Sequence, residues 1–172
     1  MKRGFFLFLL SISFFVCVAQ ENNLEEFVNA QQEKLVYNES KLVQAPNTNV
    51  FLIPPEHFVA DETINGFVHP GSATTIQVIE IPGNSMTIID AAMTEDYIKS
   101  QGYEFIERIE TFTEKQQPAV IYLVKFSSND IEYERAMFFT GETELIWINI
   151  NYPTTIKKLI FPAIESCLKS VQ

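Results

Sequence analysis

Between positions 103 and 150 the chain alternates long apolar-rich runs with short polar breaks. The runs lie near 103–112, 119–126, 131–140 and 143–150, and each is rich in β-branched and aromatic residues. That pattern predicts four strands. The breaks Lys115-Gln116-Gln117-Pro118, Ser127-Ser128-Asn129-Asp130 and Gly141-Glu142 are short and carry turn-forming residues. They predict antiparallel hairpins in a meander that needs no crossover helix.

The strand faces say more. From Val120 to Phe126 only Lys125 is charged, and from Leu145 to Ile150 apolar residues occupy both faces. A sheet with one wet face alternates more cleanly, so the central strands are expected to be covered on both sides. One cover is expected from the C-terminal segment 154–171. There Ile156, Leu159, Ile160, Ala163, Ile164, Cys167, Leu168 and Val171 recur at helical spacing. Pro162 should kink or split that helix near Phe161. The other cover is expected from a helix opened by Thr94 ahead of Glu95 and Asp96 and closed by Gly102, with an earlier turn at 88–92. The expected fold class is α+β, a single antiparallel β-sheet with helices on both faces.

Upstream strands are expected at 50–53, stopped by Pro54-Pro55, at 67–68, and at 74–81 before Pro82-Gly83. The compact domain is read as 50–172. Residues 20–49 are read as an N-terminal helix and linker, with Leu24, Phe27, Val28, Gln31 and Leu35 at helical spacing and a turn-rich stretch at 44–49.

Residues 1–19 have the layout of a cleaved secretory signal peptide. Lys2 and Arg3 precede an apolar run from Phe5 to Val18, and Cys17-Val18-Ala19 places small residues before Gln20. The run is shorter than the ~20 residues that span a bilayer. Val16 before Cys17 departs from a bacterial lipobox. Cleavage leaves 153 of the 172 residues, enough for one domain. It also removes two cations, moving the formal net charge from −10 to −12. Such a surface repels phosphates, and with no basic run in the chain nucleic-acid binding is not expected. No later segment is long and apolar enough for stable membrane insertion. The expected location is periplasmic or secreted. Cys167 is then the sole thiol, so no internal disulfide can form, and its place in the apolar stripe predicts a buried thiol.

Several segments together resemble the PsbP-like and Mog-type superfamily. They are Phe51-Leu52-Ile53-Pro54-Pro55-Glu56-His57-Phe58, Asn65-Gly66-Phe67, the strand from Thr75 to Pro82, and Tyr97-Ile98-Lys99-Ser100-Gln101-Gly102. Gln117-Pro118-Ala119, Thr140-Gly141 and Tyr152-Pro153 before a final helix complete the pattern. The resemblance covers about 50–171, and Gln117 departs from the glycine often found there. It implies an antiparallel sheet between helices and a role in protein interaction, as in an extrinsic photosystem subunit or a partner of a small GTPase. Neither of those jobs carries over to a chain with this export signal.

The residues for chemistry are few. His57 and His69 have no H-x-x-x-H or H-x-H spacing, and there is no G-x-S-x-G and no phosphate-cradling glycine loop. Glu132 and Glu134 share a strand face, while Glu107 and Glu110 lie on opposite faces; neither pair signals acid–base work without desolvation. The aromatics Tyr122, Tyr133, Phe138, Phe139, Trp147 and Tyr152 fill a core or line a cleft. The expected function is a non-enzymatic binding or interaction module with a protein partner in the cell envelope and no cofactor. A small-molecule or lipid carrier, or a small envelope enzyme, is the alternative. The candidate ligand or partner surface is His57, His69, Tyr133, Trp147 and Tyr152, with no catalytic or metal residue assigned.

Overall fold

The computed structural model describes residues 37–172. The expected signal peptide at 1–19 and the expected helix at 24–35 lie outside the described residues. Strands β1 (Val43–Gln44) and β2 (Phe51–Leu52) form a small antiparallel ribbon. Then come β3 (Val59–Asp61), β4 (Gly66–His69) and β5 (Thr74–Pro82), followed by helices α1 (Met86–Ala92) and α2 (Glu95–Ser100). The meander β6 (Glu104–Phe112), β7 (Pro118–Ser128), β8 (Ile131–Thr140) and β9 (Glu144–Pro153) follows, and α3 (Lys157–Lys169) closes the chain. The fold is α+β.

The main sheet has seven antiparallel strands in the order β3-β4-β5-β9-β8-β7-β6. After β5 the chain leaves the sheet for α1 and α2, re-enters at the far edge as β6, and walks back until β9 meets β5. Asn129 and Asp130 both have positive φ, the backbone of a two-residue turn that twists with its flanking strands. Gly66 sits so close to the neighbouring strand that a Cβ there would lie 1.8 Å from the Ile76 carbonyl oxygen. Only glycine permits that approach of β4 to β5.

Alternation along β7 divides the interior into two clusters. Ala119, Ile121 and Leu123 join Phe138, Ile148, Ile150 and the α3 residues Ile164, Cys167 and Leu168. Val120, Tyr122 and Val124 join Met137, Phe139, Leu145 and, from the α1–α2 region, Met86, Ile89, Met93 and Ile98. Burial pushes the Cys167 thiol up to about 12, so at neutral pH it is a protonated, apolar core group.

Three local expectations change. The stretch 44–49, expected as a linker, is folded onto the unit: Ala45 is buried in the first cluster and its N–H donates to the Val50 carbonyl. The terminal residue holds this ribbon, because Phe51 and Gln172 exchange backbone hydrogen bonds at 2.9 and 3.0 Å. Of the kink or split expected at Pro162, the split does not occur: the residue lies inside the continuous helix α3. The bond it cannot make belongs to the carbonyl of Lys158, which is exposed and can be solvated. Leu159, assigned to the apolar stripe, is 55% exposed. The buried stripe of α3 narrows to Ile164, Cys167 and Leu168, with Val171 just beyond the helix.

Candidate functional site

Ser85 caps α1 by accepting from the Ile88 N–H, and Thr94 caps α2 by accepting from the Tyr97 N–H. Gly102, with φ +83°, then turns the chain into β6. These two short helices lie over the second cluster without filling the space beneath them. Between them and the sheet runs a cleft of about 270 Å³, close to the lower end of the roughly 300–1,000 Å³ typical of ligand sites. Its sheet side is Ile81, Met137, Phe139 and Trp147, and its helix side includes Ile89, Met93, Tyr97 and Ile98.

A polar network holds α1 to the sheet. Asp90 accepts from Arg108 Nε and Nη2 at 2.8 and 2.7 Å, and its Oδ1 accepts from the Tyr122 hydroxyl at 2.6 Å. Arg108 Nη1 donates to Glu110 at 2.8 Å. The Arg108 hydrogen bonds hold the Asp90 carboxyl below its ordinary range. Burial, with the Asp90 hydrogen bond second, pushes the Tyr122 phenol up to about 12. Asp90→Asn is expected to cost about 1–3 kcal/mol at pH 7, by removing charge-assisted bonds. A carboxyl with a depressed folded pKa stabilises above its unfolded value of about 3.9 and loses that contribution as pH falls through the folded value. The gap between wild type and Asp90→Asn should therefore narrow below about pH 4 in urea unfolding. A gap constant from pH 7 to pH 3 would contradict the assignment.

Arg135 is part of the cleft lining. Its Nε donates to Asn151 Oδ1 at 2.6 Å, and Asn151 in turn donates to Thr75 Oγ1 at 3.1 Å. Its Nη1 donates to the Tyr103 hydroxyl. The guanidinium carbon lies 5.2 Å from the ring centroids of both Tyr103 and Phe126, an arrangement in which cation–π attraction adds to the hydrogen bonds.

The five residues picked out from the sequence do not form one surface. Trp147 lines the cleft, tilted against Phe139 at 5.6 Å. Tyr152 is on the other face of β9, wholly buried in the first cluster, with its hydroxyl donating to Glu134 at 2.9 Å. Tyr133 stacks on Phe126 at 5.5 Å. His57 and His69 do come together, edge to face at 6.4 Å, and Phe58 packs on His69 at 5.4 Å. Among the described residues no group of three or more His, Cys, Asp or Glu is placed to hold a metal ion. The carboxylates Glu132 and Glu134 are each taken up by a lysine, Lys125 at 2.9 Å and Lys157 at 2.8 Å. Sequence reasoning missed Arg135, Tyr103 and the two methionines of the cleft.

No family model matches the sequence, and no curated protein matches it either. Solved structures do match in fold. One is LpqN, described as involved in cell envelope biogenesis of Mycobacterium tuberculosis, with a TM-score of 0.55 and 12% identity over 72% of this chain and 82% of that one. Another is the cyanobacterial PsbP protein CyanoP from Synechocystis sp. PCC 6803, with a TM-score of 0.51 and 11% identity over 80% of this chain and 95% of that one. The chain has a PsbP-like fold.

Proposed function

We propose that the chain is an exported, non-enzymatic binding module of the cell envelope, built on a sheet between helices, whose binding seat is the cleft beneath α1 and α2. The observation that carries this is the hollow itself. Aromatic and aliphatic side chains face open space of about 270 Å³ there, where a filled core would interdigitate. Export is supported by the Lys2-Arg3 start, the apolar run and the small residues before Gln20. The fold likeness to a protein of cell envelope biogenesis fits that location. A non-enzymatic role is supported by the thiol held protonated in the core and by carboxylates already paired with lysines.

A second reading, docking of a protein partner, is favoured by the outer edge of β6, where Ile106 and Phe112 are exposed. The acidic residues Glu104, Glu107 and Glu110 on the same strand guard that edge against indiscriminate pairing.

The cleft reading is tested with the mature protein and Nile red, an uncharged apolar dye. Trp147, the one tryptophan of the chain, lines the cleft and reports directly on an occupant. Saturable one-site binding is expected in wild type, with loss of about tenfold or more in Ala92→Phe, which places a ring at the cleft wall. Equal binding by both proteins would overturn the reading.

A further inference from the structure

We propose that the cleft takes a small apolar carboxylate, an alkyl chain lying under α1 and α2 with its anionic end on Arg135. This rests on the cleft being a binding seat and adds the chemistry of its occupant. Carboxylates outnumber lysine and arginine in the chain by 22 to 12, so partners for cations are plentiful. Arg108 accordingly binds both Asp90 and Glu110. Arg135, among the described residues, forms no ion pair: it meets the amide of Asn151, the phenol of Tyr103 and two aromatic faces. Those contacts use Nε and Nη1, none of them uses Nη2, and Arg135 belongs to the lining of the cleft.

The setting favours an anion at that place. A partly buried guanidinium is weakly screened, and a carboxylate meets its planar fork through charge-assisted hydrogen bonds. The side chain is held in position beforehand by Asn151, itself anchored on Thr75, so little rotamer freedom remains to be lost on binding. The Tyr103 hydroxyl accepts from Nη1 and keeps its own proton for a second carboxylate oxygen. The rest of the cleft is apolar, with Met93 and Met137 among its walls. Thioether side chains adapt to a flexible chain as well as to a rigid ring. At the ~30 Å³ that a water molecule takes up in the liquid, the hollow holds about nine non-hydrogen atoms. That matches a chain of medium length.

The test is a titration of the mature protein with octanoate and, separately, with octanol, followed by Trp147 emission. Wild type is expected to bind octanoate about tenfold or more tightly than octanol. Arg135→Gln should lose that preference while still binding octanol, and Arg135→Lys should retain part of it. The octanol titration of Arg135→Gln also reports whether the variant still holds its cleft. If octanoate and octanol bind alike in wild type, or if Arg135→Gln keeps the preference, the carboxylate proposal is overturned and the cleft reading stands. If neither probe alters Trp147 emission, both fall together.

Discussion

Phe138→Ala is expected to lower the unfolding free energy by about 3–5 kcal/mol, while Trp147→Ala costs roughly 2 kcal/mol. The two aromatics stand in register on neighbouring strands, Phe138 opposite Ile148 and Phe139 opposite Trp147, but on opposite faces of the sheet. Phe138 is 0% exposed and packed in the cluster that includes Ile121, Ile148 and Leu168. Removing its ring leaves a sealed void, so the lost transfer energy and the lost contacts add. Trp147 is partly buried and already borders open space. Its removal widens a hollow that solvent can enter, and the loss is confined to the buried part of the indole and its hydrogen bond to Asn149 at 2.9 Å. The comparison is made by guanidinium unfolding followed by far-ultraviolet circular dichroism, because Trp147→Ala has no tryptophan to report. Equal losses for the two variants would mean that the cleft is filled core and would remove the seat on which the proposed function depends.

The same contrast explains what the sequence could reveal. The meander was legible because each of its signals is local. Asn129-Asp130 and Gly141 announce turns, and Val120 to Val124 has too many apolar positions for a strand with one wet face. The caps at Thr94 and Gly102 and the stripe of α3 are local as well. The sheet order was not legible, since the contact of β5 with β9 follows an excursion through two helices and three strands. Of the small ribbon, β2 was legible within the strand expected at 50–53, but β1 and its pairing were not, since β1 is two residues long and lies in a turn-rich stretch.

The cleft was hidden for a different reason. Ile89, Met93, Met137 and Trp147 have the composition of core residues, and composition does not tell a filled space from a hollow one. Arg135 became visible only through register, which sets it opposite Asn151 on β9 and Val124 on β7. The histidines illustrate the reverse. They are far apart in pattern, yet the left-handed backbone at His57 (φ +68°) and the end of β4 bring the rings together.

Glu134→Ala is expected to cost about 3 kcal/mol, near the lower end of the range for breaking a buried charged contact. Glu132 and Glu134 look equivalent in the sequence, but the sheet divides their fates. Glu132 is exposed on Lys125, where an ion pair contributes little. Glu134 is 7% exposed and accepts from the wholly buried Tyr152 hydroxyl at 2.9 Å and from Lys157. Lys157 opens α3, which has no side-chain cap, no acidic residue in its first turn, and Lys158 as a second cation there. Both lysines oppose the helix dipole, so the Glu134 carboxylate offsets a charge that the helix start itself disfavours. Without it Lys157, whose side chain is 37% exposed, can turn to water, but the Tyr152 hydroxyl is left buried with no acceptor. Burial, followed by the Glu134 hydrogen bond, already pushes the Tyr152 phenol far above its ordinary value. Removing the hydroxyl as well should recover part of the loss. The double variant Glu134→Ala, Tyr152→Phe is expected to be about 1–2 kcal/mol more stable than the sum of the single effects predicts. Urea unfolding of the four proteins measures this coupling, and effects that simply add would show that Glu134 does not hold β9 and the start of α3 as one unit.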